Sequence, residues 1–256
     1  MAFGPRSVVY RVYEARLTGQ IRGGPLPHHV GVILDGNRRW ARATGFEDAA
    51  EGHRRGAAKI DELLRWCDEL EIAVVTLWLL STDNLARDPA EIQALLGIIE
   101  DEVRQIGARE SWRIRALGSL DMLPASTVDV LREAETRTEA HTGRELNVAV
   151  GYGGRQEIVD AIRNMLVEYD EKGMDLAEAV SKVTPEEISR FLYTAGTPDP
   201  DLIIRTSGEV RLSGFLLWQS AHSEFFFCDP YWPDFRRIDF LRALREYQQR
   251  HRRYGR

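Results

Sequence analysis

The sequence predicts a single α/β domain of the doubly wound class, and three observations support this fold class. Six short apolar segments with strand character alternate with segments whose apolar residues recur at helical spacing. One of the six, Ile72–Leu80, has almost no polar alternation, so we expect its sheet to be covered on both faces. The chain has 256 residues, 43% of them hydrophobic, which is enough for one large domain with a sizeable core.

Short runs of β-branched and bulky apolar residues mark the strands. The first, Val30–Leu34, leads directly into Asp35, Gly36 and Asn37, which suit a sharp turn. The strands are predicted at Val30–Leu34, Ile72–Leu80, Arg113–Leu117, Leu146–Val150, Leu202–Arg205 and Glu224–Phe227.

Helical periodicity and capping residues mark the helices. Asp88, Pro89 and Glu91 combine an N-cap, a proline at the first helical position and an acid in the first turn. We expect Ser7–Leu17 to form a docking helix and the apolar segment Phe215–Trp218 to begin a buried helix. Three further helices are placed by one end each, since one is predicted to end near Leu70, one to begin at Asp88 and one to begin at Thr184. The last three are predicted to span Leu123–Thr142, Gln156–Lys172 and Ile238–Arg252.

The charge balance limits the classes of partner. A formal net charge of −6 gives no global reason to expect binding of nucleic acid or of an anionic membrane. All of the basic residues except Lys59, Lys172 and Lys182 are arginines. An arginine therefore supports a phosphate site only where its position in the fold supports one.

The cysteine content and the N-terminus predict a cytosolic protein. Cys67 and Cys228 lie far apart in the sequence, which excludes a CxxC metal site and a disulfide framework. The N-terminus has no signal-peptide hydrophobic region. The longest apolar run, near Ile72–Leu80, is too short to cross a bilayer.

Four of the predicted strands end in polar or glycine-rich residues, at Asp35, Ser81, Gly151 and Thr206. In doubly wound sheets, ligands bind beyond the carboxyl ends of the strands. We therefore expect these four strand ends to share one rim, and this convergence favours a binding site there.

The segment Asp35–Arg39 joins a strand to a helix start in a way that is typical of phosphate binding. Backbone N–H groups at a helix N-terminus point at an anion. The Asp35 carboxylate can hold a hard cation between itself and phosphate oxygens. On these residues alone, an ordinary strand–turn–helix connection with a solvated aspartate is an equally good explanation.

The segment Arg205–Ser213 is a second candidate phosphate site. Arg205, Arg211 and Ser213 surround a glycine at a strand end, and the planar guanidinium group matches phosphate oxygens bidentately. A surface loop with incidental arginines is the alternative. Arg205 favours binding, because a charge that ends an apolar strand is costly without a partner.

Two further features leave alternatives open. Glu224 begins an apolar run and is either a surface cap or a metal ligand. Gly151–Gly154 resembles half of a dinucleotide-binding fingerprint but lacks the GxGxxG spacing, so a tight strand-to-helix turn explains these glycines better. The six histidines show no metal-site spacing.

Taken together, these segments resemble the cis-prenyltransferases, the undecaprenyl diphosphate synthase family. The resemblance covers the chain from about Pro27 to the C-terminus and is strongest to short-chain members that make (2Z,6E)-farnesyl diphosphate. It implies a central six-stranded, mainly parallel β-sheet flanked by helices in a catalytic domain of residues 27–256, preceded by an N-terminal helix and linker of residues 1–26. It also implies a homodimer that uses Mg²⁺ to condense isopentenyl diphosphate with an allylic diphosphate. The matching segments are His29–Trp40, Ser81–Arg87, Leu146–Arg155, Asp201–Ser213 and Phe215–Phe235.

The resemblance also implies roles for single residues. Asp35 would be the catalytic acid and, with Glu224, a Mg²⁺ ligand. Asn84 stands where the family has its proton acceptor, but an amide is a poor base, so we expect Asn84 to orient a diphosphate oxygen that takes the proton. Arg253 and Gly255 match a C-terminal RxG motif that reaches the partner's diphosphate site. Substrates would contact Gly36, Asn37, Arg38, Arg39, Trp40, His53, Ser81, Thr82, Asp83, Leu85, Arg87, Arg205, Arg211, Leu212 and Ser213.

Three positions depart from the family pattern. The region Glu47–Glu51 lacks an arginine that many long-chain members have, and Arg38 replaces a common glycine. Leu79 stands where long-chain members often have a small residue, and a bulky side chain in the product tunnel would stop elongation early. We therefore predict a short product, C15, made from geranyl diphosphate.

Three alternatives are kept. A long-chain polyprenyl diphosphate synthase would share the motifs, and its product would favour peripheral contact with a membrane. A non-catalytic partner subunit would have lost the site residues, whereas this chain keeps Asp35, Arg205, Arg211 and Glu224. A nucleotide-dependent oxidoreductase built on Gly151–Gly154 offers no role for the arginines.

Overall fold

A computed structural model of the protein describes residues 5–109 and 111–254, with side chains within 9–109 and 111–250. In this part of the chain, six strands form one sheet in which all neighbouring strands are parallel, which confirms the predicted fold class. The strands are β1 (His29–Ile33), β2 (Val74–Ser81), β3 (Arg113–Leu117), β4 (Glu145–Tyr152), β5 (Leu202–Arg205) and β6 (Glu224–Phe227). Their order across the sheet is β3-β4-β2-β1-β5-β6.

Helices connect the strands and cover the sheet. The predicted N-cap is present, since the Asp88 carboxylate accepts hydrogen bonds from the backbone N–H groups of Ala90 and Glu91. The helix Leu176–Lys182 was not predicted, because it is short, three of its seven residues are polar, and its large apolar residues Leu176 and Val180 are exposed. The helices are α1 (Pro5–Ile21), α2 (Asn37–Ala43), α3 (Ala49–Glu69), α4 (Pro89–Ala108), α5 (Ala125–Thr138), α6 (Gly154–Glu171), α7 (Leu176–Lys182), α8 (Pro185–Ser189) and α9 (Arg237–Tyr254).

The prediction that Phe215–Trp218 begins a helix is wrong. These residues form turns, and a short 3₁₀ helix, Gln219–His222, follows them. The backbone explains the difference, because Ser213 and Leu216 have φ angles of 52° and 45°, which a right-handed helix cannot contain. The segment is buried as predicted, since Phe215 and Leu216 are inaccessible to solvent.

Both faces of the sheet are covered, as the apolar strands predict. Val30 and Val32 of β1 point into the main core, which α3, α4, α5 and α9 complete. Ile33 points to the other face and packs in a second cluster with Phe215. Gly31 lies under that ring, where an added Cβ would stand 3.0 Å from Phe215. Alternate residues of one strand therefore serve two cores.

The N-terminal helix docks on the C-terminal one. Leu17 and Ile21 of α1 are buried in the main core. Gln248 of α9 donates a hydrogen bond to the carbonyl of Ile21 at 2.9 Å. The docking role predicted for this segment is confirmed. Among the described residues, no helix is both long enough and apolar enough to span a membrane.

Candidate active site

The four polar strand ends lie side by side, because β4, β2, β1 and β5 are consecutive in the sheet. A cavity of about 520 Å³, called the main cavity below, opens where β1, β2 and β5 end. The main cavity is lined by Ile33, Leu34, Asp35, Gly36, Asn37, Arg38, Arg39, Arg42, His53, Trp78, Leu79, Leu80, Ser81, Asp83, Asn84, Arg87, Leu95, Arg205, Glu209, Arg211 and Ser213.

The Asp35 carboxylate is held between two arginines. Its Oδ2 accepts a hydrogen bond from Arg205 Nη2 at 2.7 Å, and its Oδ1 accepts one from Arg39 Nη2 at 3.1 Å. The Asp35 side chain is 26% exposed and that of Arg205 is 5% exposed. Burial alone would raise the pKa of Asp35, but the hydrogen bond and charge of Arg205, with the charge of Arg39, lower it below its ordinary value. The group is therefore ionised at neutral pH.

The turn after β1 is fixed by its neighbours. Thr206 Oγ1 accepts a hydrogen bond from the Asp35 N–H at 3.0 Å and donates one to the Asp35 carbonyl at 2.7 Å. Gly36 has a φ of 102°, and an added Cβ would lie 2.6 Å from the ring of Tyr231. Only glycine meets both requirements at this position. The result is an Asp35 backbone that is rigid before any ligand binds.

Helix α3 presses closely on the start of α2. A Cβ on Gly52 would lie 2.1 Å from the Asn37 carbonyl oxygen, and one on Gly56 would lie 2.4 Å from Asn37 Oδ1. Asn37 Nδ2 donates to the Leu34 carbonyl at 3.0 Å. Its Oδ1 is buried and has no hydrogen-bond partner among the described residues. Asn37 is therefore held in place with one acceptor left over at the cavity.

Glu209 organises the arginines on the β5 side. Its Oε1 accepts from Arg39 Nη1 at 3.1 Å, and its Oε2 pairs with Arg211 Nη1 at 2.6 Å. Arg205 also donates to Ser213 Oγ at 2.8 Å. Glu209 was not predicted as a site residue, although an acid between two arginines in a candidate phosphate loop was a visible signal.

A second carboxylate, Glu91, organises the arginines on the β2 side. Its Oε1 accepts from Arg87 Nη1 at 3.1 Å and lies 3.5 Å from Arg38 Nη1. Arg87 Nη2 donates to Asn84 Oδ1 at 2.7 Å, which occupies the oxygen of that amide. Burial first, and then the charges of Arg87 and Arg38, lower the pKa of His53 to about 4, so this imidazole is neutral at pH 7.

The main cavity continues into a smaller apolar space. This deeper pocket has a volume of about 30 Å³ and lies between α3, α4 and the end of β2. Three leucines, Leu34, Leu79 and Leu95, line both spaces together with the polar residues Asn37 and His53, and these five mark where the spaces join. The rest of the deeper pocket is lined by Gly56, Ala57, Ile60, Ile98, Ile99, Glu102 and Trp232.

Among the described residues, four of the predicted substrate residues line neither the main cavity nor the deeper pocket. Trp40 stacks on Phe46 with ring centroids 5.9 Å apart. Leu85 packs against the main core and Leu212 against the second cluster. Thr82 Oγ1 lies where a Cβ on Gly153 would approach to 2.6 Å, so it supports the β4 turn.

Glu224 lies at the other end of the sheet from Asp35. It pairs in register with Leu202 at the amino end of β5, whereas Arg205, which contacts Asp35, is at the carboxyl end. Glu224 Oε2 accepts from Arg250 Nη1 at 3.0 Å. Within one chain, the parallel strands therefore separate the two carboxylates predicted to hold Mg²⁺, and the role of Glu224 stays a prediction. The predicted motif at Arg253 and Gly255 lies outside the side chains that the structure describes.

The arrangement suits a polyanion together with a divalent cation. Arginines that now pair with Glu91 and Glu209 can exchange these carboxylates for phosphate oxygens, which match the guanidinium fork. Within residues 9–109 and 111–250, no group of three or more histidine, cysteine or acidic side chains is arranged to hold a metal. A single carboxylate at a phosphate site is nevertheless the usual protein share of a Mg²⁺ site, since substrate oxygens and water supply the rest.

Comparison with known proteins places these features in one family. A family model described as putative undecaprenyl diphosphate synthase matches residues 33–255. A (2Z,6E)-farnesyl diphosphate synthase from Thermobifida fusca is 59% identical over 250 residues, with 98% of each chain covered. A protein of the same name from Mycolicibacterium smegmatis is 53% identical, and the match covers 96% of this chain and 95% of the other.

A solved structure has the same architecture. Lavandulyl diphosphate synthase from Lavandula x intermedia, in complex with dimethylallyl diphosphate, is 33% identical to this chain. The two superpose with a TM-score of 0.81, covering 87% of this chain and 95% of the other.

Proposed function

Because the chain belongs to the undecaprenyl diphosphate synthase family and is therefore a prenyltransferase, we propose that it condenses isopentenyl diphosphate with geranyl diphosphate to give (2Z,6E)-farnesyl diphosphate. The observation that carries the proposal is the Asp35 carboxylate, held between Arg39 and Arg205 in a cavity that continues into a small apolar pocket. Two relatives named for this activity match the chain over nearly its whole length.

The two groups of arginines correspond to two diphosphates. Arg38 and Arg87, which lie beside Glu91, bind the allylic diphosphate in this proposal together with Arg39, which bridges Asp35 and Glu209. Arg205 and Arg211, with Ser213, bind isopentenyl diphosphate, for which the hydrogen bond from Arg205 to Ser213 pre-arranges both donors. Gly36, Asn37, Ser81 and Asp83 complete the walls of the cavity.

Asp35 is the proposed ligand of Mg²⁺. Both of its oxygens accept one hydrogen bond each, which leaves lone pairs for a cation beside the diphosphate. When bound, Mg²⁺ stabilises the negative charge that develops on the departing diphosphate. Arg38, Arg39 and Arg87 support the same charge from the protein side.

The apolar pocket protects the allylic cation from water. Leu34, Leu79 and Leu95 line the junction where the prenyl chain enters, and they exclude polar competitors for the cation. The double bond of isopentenyl diphosphate attacks the cation, a new carbon–carbon bond forms, and a proton leaves the adjacent carbon. We assign that proton to a diphosphate oxygen. Asn84 orients the diphosphate through Arg87, to which its amide oxygen is already bound.

Leu79 and the size of the deeper pocket support a short product. Leu79 stands at the junction of the two spaces, and the deeper pocket, about 30 Å³, is far smaller than the main cavity of about 520 Å³. A growing chain therefore meets resistance soon after the first addition. A long-chain synthase is the second candidate, and the Leu79 side chain is the feature that speaks against it.

We further propose a cytoplasmic homodimer in which Glu224 serves the partner's site. Glu224 is too far along the sheet to join Asp35 in one chain, yet it pairs with Arg250 near the C-terminal RxG residues. If the C-terminal residues reach the active site of a second copy of the chain, Glu224, which pairs with Arg250, lies close to that site as well. This arrangement gives both carboxylates of the Mg²⁺ site without moving a strand. Transient contact with a membrane belongs to the long-chain alternative.

The two remaining alternatives lose support. A non-catalytic subunit does not require Asp35 and Arg205 to be paired in an open cavity. The glycines of Gly151–Gly154 serve packing, since a Cβ on Gly154 would lie 2.5 Å from the carbonyl oxygen of Gly214. That turn is not among the groups that line the main cavity in the described chain.

Diphosphate release tests the proposed reaction. The purified protein is incubated with Mg²⁺ and isopentenyl diphosphate, and with dimethylallyl, geranyl or farnesyl diphosphate in separate reactions. We expect fastest release with the geranyl primer and none after chelation of the metal. Thermal melts with NADPH and with isopentenyl diphosphate plus Mg²⁺ provide a second readout, because only a specific ligand raises the melting temperature. No release with any primer contradicts the proposal.

A further inference from the structure

A carboxyl group stands in the wall of the deeper pocket, where aliphatic and aromatic side chains predominate. Glu102 of α4 is 6% exposed, and its Oε1 is buried with no hydrogen-bond partner among the described residues. Leu95, Ile99 and Glu102 occupy positions i, i+4 and i+7 of one helix face. This face therefore runs from the junction with the main cavity to a carboxyl group at its end.

The surroundings do not neutralise this group through a direct partner. Arg109, the cation that influences Glu102, is engaged by Asp61 at 2.5 and 2.7 Å. Burial, reinforced by the charge of Asp61 and opposed by that of Arg109, raises the pKa of Glu102 to about 7. An unpaired polar atom in an apolar wall destabilises a fold. Packing therefore gives no reason for a glutamate here.

We infer that Glu102 is a specificity-determining residue that sets a second limit on product length, behind Leu79. This inference rests on the proposed function, because it deepens the account of the same site. Leu79 lines both spaces, whereas Glu102 belongs to the wall of the deeper one. A prenyl end that passes Leu79 meets the polar end wall formed by Glu102.

The barrier is a matter of solvation as well as volume. A deeper pocket of about 30 Å³ with a carboxyl group in its wall can hold water against that group. A prenyl end that displaces this water leaves the carboxyl group against hydrocarbon with no replacement hydrogen bond. A geranyl-derived chain that ends at Leu79 stops short of Glu102 and leaves this water in place. Polarity at this position therefore discriminates against chains longer by one isoprene unit.

Two near-isosteric substitutions separate polarity from size. Glu102→Leu removes the polar group, and Glu102→Gln keeps a polar group of nearly the same volume. Both are made in the wild-type chain and in a Leu79→Ala chain, where the first limit is relieved. Asp101→Leu, on the exposed face of the same helix, is the matched control. Product lengths are resolved by chromatography after incubation with geranyl diphosphate, isopentenyl diphosphate and Mg²⁺.

We expect Glu102→Leu to lengthen the main product of the Leu79→Ala chain by at least one C5 unit, while Glu102→Gln and Asp101→Leu leave it unchanged. Binding of the unreactive farnesyl and geranyl S-thiolodiphosphates, measured by calorimetry, gives a readout that does not depend on turnover. Glu102→Leu should raise the farnesyl-to-geranyl affinity ratio about tenfold.

Two results overturn the inference. One is an unchanged product length and affinity ratio in Glu102→Leu, and the other is an equal shift in Glu102→Gln. In both cases continued condensation leaves the proposed function intact. A loss of condensation in the wild-type chain itself bears on the proposed function instead. Glu102→Leu is expected to fold at least as stably as the wild type, because it removes an unpaired polar group from an apolar wall.

Discussion

Arg205 donates a hydrogen bond to Asp35 Oδ2 at 2.7 Å and links the end of β5 to the exit of β1. Its other terminal nitrogen donates to Ser213 Oγ at 2.8 Å. One nearly buried guanidinium group thus joins the carboxylate proposed to hold Mg²⁺ to the residues proposed to bind isopentenyl diphosphate. The relative placement of the two substrates depends on this single side chain.

Replacement of Arg205 tests this dependence. Arg205→Lys keeps the positive charge but cannot reach Asp35 and Ser213 together, since lysine lacks the planar fork. We expect kcat to fall by about 10²–10³-fold, the range found when one preorganised donor is removed from an active site. Arg104→Lys, which alters an exposed arginine on α4, should leave the rate unchanged. Steady-state kinetics at saturating substrates measures both, and near-normal kcat in Arg205→Lys would count against the assigned role.

Replacement of Leu79 tests the first limit on product length. Leu79→Ala opens the junction between the two spaces, so we expect the C15 product to be joined or replaced by products at least one C5 unit longer. Leu85→Ala, which removes the same atoms from a leucine outside the cavity, is the control. Chromatographic analysis of the products decides the matter. If Leu79→Ala still makes C15 alone, the explanation from this side chain is wrong.

Subunit mixing tests the assignment of Glu224. If Glu224 serves the partner's site, a mixture of Asp35→Ala and Glu224→Ala chains forms heterodimers in which one of the two sites keeps both carboxylates. Random reassortment should then restore roughly a quarter of wild-type activity from two inactive variants. If both carboxylates act within one chain, every site in the mixture is damaged and no activity returns. The activity before and after co-refolding distinguishes these results.

His29 makes the stability of the fold depend on pH. Its ring contacts the Pro198 carbonyl and Thr76 Oγ1, and burial lowers the pKa of His29 to about 4. The unfolded chain, with an ordinary pKa near 6.5, binds more protons than the folded one between these values, so the free energy of unfolding falls as pH falls. For this group alone we expect about 2 kcal/mol less stability at pH 5 than at pH 8.

Urea denaturation at pH 8 and pH 5 measures this effect. His29→Gln should remove the part of the pH dependence that comes from His29, even if it also changes the free energy of unfolding at pH 8. His222→Gln, at an exposed position, should leave the dependence as it is. Identical pH dependence in His29→Gln and in the wild type would exclude His29 as the source.

Most of the fold was predictable because it depends on local patterns. The apolar strands β1, β2 and β4 are buried on both faces and read as continuous apolar runs. Capping by Asp88 and Thr184 marked two helix starts correctly. The helix predicted at Phe215 is absent because tertiary packing sets the positive φ angles of this segment, and apolar composition does not predict them.

The residues at the centre of the candidate site were predictable from the sequence, whereas those at its edge were not. Asp35 and Arg205 stand at the carboxyl ends of neighbouring strands, so parallel pairing brings them together. Glu224 begins its strand, which places it at the opposite end of a parallel sheet from Asp35, so its predicted role in the Mg²⁺ site depends on a second chain. Glu102 went unnoticed although its spacing from Leu95 sets it on the apolar face of α4.

Analysis of the product made from geranyl diphosphate tests the central claim most directly. The protein is incubated with Mg²⁺, geranyl diphosphate and labelled isopentenyl diphosphate, and the dephosphorylated product is examined for length and double-bond geometry. The account predicts one main C15 product with a single new Z double bond. Products of many isoprene units, or a new E double bond, would contradict it.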